Sequence, residues 1–208
     1  MPSLDDIASA LDSLRDELTA QGVTDHLGEV NWTYDREGKH TQAVIPAGAI
    51  VMGFNAGAGG SGSEARWRTK CDKLTMGISG GYMLAELVLI SSFNIADLRA
   101  AHGRADALIR QCAAVNLAVI AHHRPKVILQ TGFDDSEAVQ DSYGLVVAGL
   151  ERAYRPAHPT HTLLKHYVMP DQTPWLAIRH PSSMGFSNSD IAAIRSYAAE
   201  HCGVQFLN

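Results

Sequence analysis

Asn55, Asn94 and His180 each stand at or just beyond the end of a short apolar run, and polar residues so placed are the first candidates for chemistry. Two other sets compete with them. Gly57, Gly59 and Gly62 spell G-x-G-x-x-G after the first of those runs, a spacing that can cradle the phosphates of a dinucleotide. His158, His161 and His166 are near enough in sequence to bring several imidazoles to one metal ion.

Neither competitor is complete. A dinucleotide fingerprint needs a helix opening at the glycines and an acid closing the next strand about 20 residues on. Here the next apolar run ends near Asn94, more than 30 residues away and with no acid there. No Gly-Lys-Ser/Thr follows, so a Walker loop is absent too. The three histidines have no cysteine or acid in their spacing and lie among prolines, which reads as surface imidazoles. No metal and no cofactor is expected.

The elements that must position these residues can be read from periodicity. Leu4, Ile7, Leu11, Leu14 and Leu18 recur at helical spacing between Ser3, a cap, and Gly22, a stop. Residues 23–47 are mixed and turn-rich. Ala49–Phe54 and Leu84–Phe93 read as buried strands. Leu108, Cys112, Val115, Val119 and His122 predict a helix over 105–123, ended by Pro125. Lys126–Gln130 and Trp175–Arg179 read as further strands, with a helix predicted over 135–152. Pro156, Pro159, Pro170 and Pro174 interrupt the stretch beyond. Ser187-Asn188-Ser189-Asp190 caps a final helix near 189–202, stopped by Gly203. Strands alternating with helices imply an α/β fold, a short, mostly parallel central sheet between two helical layers. Ligands of such sheets sit at the carboxyl ends of the strands, here near Asn55, Asn94, Gly132 and His180.

Taken in order, these strand ends resemble the uracil-DNA glycosylase superfamily. Gly53-Phe54-Asn55-Ala56-Gly57 is similar to the Gly-x-Asn-Pro-Gly motif of the mismatch-specific and single-strand-selective branches. Leu89-Ile90-Ser91-Ser92-Phe93-Asn94 resembles the family strand whose terminal Asn reads the base edge. Arg124 to Gly132 resembles the central strand ending in glycine, and His180-Pro181-Ser182-Ser183-Met184 resembles the His-Pro-Ser motif. The resemblance covers about residues 45–205.

It implies a three-layer α/β/α domain of the uracil-DNA glycosylase kind. Its implied activity is hydrolysis of the N-glycosidic bond of uracil or a related deaminated base in DNA. His180 would donate to the departing base and Asn55 would orient the attacking water, since an amide is no strong base. Asn94 would read the base with its donor and acceptor, Trp67 or Phe54 would offer an aromatic platform, and Ser182, Ser183 and Met184 would meet the DNA, Met184 as a wedge. Ala56 stands where the family has proline, and the cysteines of the iron–sulfur branches are missing. The alternative is a catalytically silent nucleic-acid or nucleobase-binding protein on the same scaffold.

Bulk composition fits one domain spanning 1–208, with 1–44 an N-terminal helix and variable segment. Apolar residues make up 46% and charged ones 19%, far from disorder. No apolar run is long enough to span a membrane and no signal peptide is evident, so a cytoplasmic monomer is expected. Cys71, Cys112 and Cys202 are odd in number and widely spaced, which fits a reducing compartment. The net charge of −5 is concentrated in residues 1–64, where ten acids face three bases. The remainder carries +2, with Arg66, Arg68, Lys70 and Lys73 clustered after the glycines.

Overall fold

A computed structural model describes residues 2–22, 48–57, 62–92, 105–133, 137–181, 183 and 185–207. Ser3 opens the first helix through a reciprocal capping box. Its hydroxyl accepts the Asp6 N–H at 3.1 Å, and the Asp6 carboxylate accepts the Ser3 N–H at 2.7 Å. Helix α1 then runs Leu4–Ala20 and buries Ile7, Leu11, Leu14 and Leu18 along one stripe.

The remaining elements are β1 (Ala49–Gly57), α2 (Gly62–Thr75), β2 (Tyr82–Ser92), α3 (Ala105–His123), β3 (Val127–Thr131) and α4 (Glu137–Tyr143). They are followed by β4 (Val146–Arg155), β5 (His158–Val168), β6 (Pro174–Ile178) and α5 (Asn188–Cys202). The six strands form one sheet in the order β2-β1-β3-β6-β5-β4. Neighbours among the first four are parallel, while β5 adds antiparallel to β6 and β4 antiparallel to β5. β3 is buried along its whole length, the pattern of a parallel strand covered on both faces.

Chain reversal explains the layers. The step from β1 to β2 moves one way across the sheet, and the step from β2 to β3 moves back past β1. Right-handed crossovers in opposite directions place their helices on opposite faces. Accordingly Leu108, Cys112, Val115 and Val119 of α3 pack with α1 and α4 on one face. Cys71 and Leu74 of α2 pack with Ile191, Ile194 and Tyr197 of α5 on the other. The protein is a three-layer α/β/α fold. Among the described residues no helix is long and apolar enough to cross a membrane.

The helix expected over 135–152 is corrected. It stops at Tyr143, and residues 146–155 are a strand instead. Gly144 adopts φ 61°, a left-handed conformation that ends the helix, and a β-carbon there would lie 2.9 Å from Pro170 Cγ. Val146 and Val147 then favour extended backbone. The prolines beyond do not break structure up either. Pro174 opens β6 and Pro159 is the second residue of β5, end positions where a missing N–H is tolerated.

Leu11 ties α1 to the core on the α3 side of the sheet, with only 2% of its surface exposed. Leu11→Ala is expected to lower stability by about 2–5 kcal/mol in urea unfolding followed by circular dichroism. A loss under about 1 kcal/mol would mean that α1 is not part of the cooperative core.

Candidate functional site

Four parallel neighbours end on one edge of the sheet, and the strand order reverses between β1 and β3, the place where sheets of this kind open a crevice. Asn55 lies in β1 and pairs in register with Val88 of β2. Immediately beyond it the register slips, so that Gly57 pairs with Ser92, a bulge in β2 of the sort that re-aims backbone at sheet ends. The slip leaves the Leu89 N–H without a ladder partner, and Cys112 Sγ accepts it at 3.4 Å. Burial pushes the Cys112 thiol up to about 12, so it serves as a neutral acceptor.

Two strand spacings separate β1 from β6, about 9–10 Å. His180 follows β6 by two residues and keeps an exposed face. Desolvation by the surrounding protein holds its imidazole below the ordinary 6.5, so the ring is neutral at pH 7. Between the two, Gly132 at the end of β3 donates its N–H to Ile178 O at 2.8 Å. That bond fastens the ends of β3 and β6 together.

The loop after His180 is held from several sides. Ser183 donates both its N–H and its hydroxyl to His180 O, at 2.9 and 2.7 Å, which closes a tight turn. Lys70 of α2 donates to Phe186 O at 3.3 Å. Arg155, at the end of β4, donates to Gly185 O and grips the Asp190 carboxylate through Nε and Nη2 at 3.0 and 2.8 Å. Gly185 has φ 78°, which favours glycine, and a β-carbon there would lie 3.7 Å from Arg155 Nη2. Asp190 also accepts the Ser187 N–H and hydroxyl, and so caps α5.

This grip reaches across the edge because the β4–β5 hairpin overhangs it. Leu164 pairs with Ile178, so residues 158–163 of β5 run past the end of β6, with Tyr154 opposite Thr162 and Arg155 opposite His158. Six residues amount to about 20 Å of overhang.

The two aromatic candidates lie on opposite faces of β1. Phe54 is buried with the α1 and α3 side chains. Trp67 of α2 lies across the other face, half-buried, with its indole N–H donated to Thr131 Oγ1 at 3.3 Å. A β-carbon at Gly53 would touch Trp67 Cζ2 at 3.8 Å and Glu86 Cγ at 3.9 Å. Anything larger than alanine there would displace the indole. Asn94, Ser182 and Met184 lie outside the described residues, as do residues 58–61 of the glycine stretch. That stretch leads from β1 into α2, which opens at Gly62.

Glu86 is the residue that the periodicity passes over. It pairs in register with Gly53, is only 9% exposed, and has its Cγ, like Trp67 Cζ2, within 4 Å of where a Gly53 β-carbon would lie. An acid in the middle of an otherwise apolar strand was the signal for it. Lying within β2 and not at its end, it is also no ribose-binding acid of the dinucleotide kind.

The histidines of β5 divide. His158 and His161 stack at 5.4 Å in solvent, whereas His166 is buried against the Tyr197 hydroxyl at 3.1 Å. No group of three or more His, Cys, Asp or Glu among the described residues could hold a metal ion.

Burial alone would raise the Asp190 carboxyl, and the hydrogen bonds from Arg155 and Ser187 outweigh it, leaving the group below its ordinary 3.8. A depressed carboxyl contributes stability in full above its unfolded pKa and loses it as pH falls through the folded value. Asp190→Ala is therefore expected to cost about 3–5 kcal/mol at pH 7 in urea unfolding. The gap from wild type should close below about pH 4. A gap independent of pH would assign the loss to packing.

No protein-family model matches the chain, and no curated protein matches it.

Proposed function

We propose that the chain is a DNA glycosylase that hydrolyses the N-glycosidic bond of uracil or a related deaminated base. The observation that carries this reading is the sheet order. Asn55 and His180 belong to parallel strand ends on one edge, on either side of the crevice between β1 and β3. A gap of about 10 Å suits an everted pyrimidine flanked by both residues.

Cleavage breaks the bond between C1′ and the base nitrogen, and the electron pair departs with the base. The sugar is left cationic and water adds to it. His180, neutral at pH 7, has one N–H to donate to the developing anion without first binding a proton. Asn55 orients the water through its amide. Glu86, two residues before the partner of Asn55 on β2 and so about 8 Å from Asn55 along and across the sheet, would supply complementary negative charge in its ionised form. At that separation and an effective dielectric near 20, a carboxylate favours a cation by on the order of 2 kcal/mol.

Excision from uracil-containing oligonucleotides, followed by alkaline cleavage of abasic sites, tests the reading. Wild type should yield product, His180→Ala should lose on the order of 10²–10³ in rate, and Glu86→Gln on the order of 10–50-fold. No product from folded protein in excess over a panel of deaminated bases would sink the enzyme and leave a nucleobase-binding protein. The rate should also be level from pH 8 down to 7, because His180, held below 6.5, is already neutral there. A tenfold rise per unit of falling pH would make imidazolium the active form.

A further inference from the structure

Arg179 stands between Ile178, the last residue of β6, and His180. Its backbone is fixed, since its N–H donates to Leu163 O at 2.8 Å. Its side chain is half-buried, and Nε is shut away from solvent with no hydrogen-bond partner among the described residues. Arg179 belongs to none of the ion pairs there, which join Arg15 to Asp12, Arg155 to Asp190 and His201 to Glu200. The contrast with Arg155 is sharp, because that guanidinium spends its donors on Asp190 and Gly185.

A guanidinium cannot discharge itself by losing a proton, so partial desolvation without an anion is a standing cost. A second cation lies nearby. Lys165 pairs in register with Ala177 of β6, and its ammonium is 5.9 Å from the ring of Phe133, which follows β3. Two positive side chains thus flank the end of β6, at the edge that carries His180. We propose that Arg179 is an anion subsite that takes a backbone phosphate of a nucleic acid strand. The planar fork of donors matches two phosphate oxygens, and Arg179 precedes His180 directly along the backbone at the same edge of the sheet. The assignment rests on the glycosylase reading for the base at His180, though the phosphate contact itself needs no chemistry.

The test uses a fluorescein-labelled, undamaged DNA single strand of about a dozen nucleotides and the full chain. Fluorescence anisotropy is read between about 50 and 200 mM salt. Arg179→Gln should weaken binding about tenfold and reduce the slope of log affinity against log salt by about 0.7, one phosphate contact. Arg179→Lys should keep the slope and lose part of the affinity, because charge remains and the fork is gone. If the glutamine variant melts early, the lysine variant decides: unchanged affinity at every salt concentration would remove the bidentate contact. Wild-type slope and affinity in Arg179→Gln would overturn the proposal, and so would failure of wild type to bind at the lowest salt. A small-anion site is the remaining outcome. It would appear as inorganic phosphate raising the melting temperature of wild type but not of Arg179→Gln, with no change in DNA slope, and it would overturn the nucleic acid assignment. Because the strand has no scissile base, binding is read apart from chemistry: a salt-slope change here together with no product in the uracil assay would retain the phosphate site and discard only the enzyme.

Discussion

Parallel pairing on both sides of β1 is the constraint from which the rest of the architecture follows. A strand paired in parallel with β2 and β3 cannot be joined to either by a hairpin, so each connection crosses the sheet's face. Reversing direction between the two crossovers sends α2 and α3 to opposite faces, which creates three layers. It also parts the two connections at the carboxyl end of β1, and the parting is the crevice. Neither the layers nor the crevice requires anything of the residues that line it.

What the lining requires is fixation, and this comes from the Arg155–Asp190 pair. The two side chains are 4% and 0% exposed, so both have given up hydration. Such pairs often gain little over apolar packing. This one has a geometric consequence that apolar packing would lack. One guanidinium binds the carboxylate that caps α5 and the carbonyl of Gly185, and so fixes the overhanging hairpin, the loop after His180 and the last helix relative to one another. Ser183 turns back on His180 within that frame. Arg155 and Arg179 therefore show two fates of a shielded guanidinium, one saturated by protein and one with donors to spare.

Sequence periodicity reached the parallel half of the fold because buried parallel strands are short apolar runs with abrupt ends. Val127–Thr131 and Pro174–Ile178 lie within one residue of the runs that predict them, and α3 coincides with the leucine, cysteine and valine spacing that marks it. The antiparallel arm was illegible for a physical reason. Val146, Val147 and Leu150 carry the apolar content of a helix, and only the positive φ of Gly144 and pairing with β5 decide for strand. The strand ends that bear Asn55 and His180 were legible as positions. Glu86 was not, because an apolar average over ten residues hides one acid. The separation of Phe54 from Trp67 needed the alternation of β1 together with knowledge of which helix covers which face.

The placement of Glu86 bears on how a site with an amide at position 55 could manage charge. An amide orients water but brings no field to an electron-poor sugar carbon. A carboxylate at position 55 would bring a field, and it would also stand exposed to the phosphates of any bound strand, which repel it. On the glycosylase proposal, Glu86 would avoid that conflict, because it is buried within β2 beside Gly53. Moving the charge about 8 Å away weakens it in proportion to distance, whereas withdrawing it from water strengthens its field through the lower dielectric and also raises the cost of ionising it. On the glycosylase proposal, a buried acid one strand over would act on a cationic transition state only in its ionised form, and the residue at the strand end would remain free to hold water.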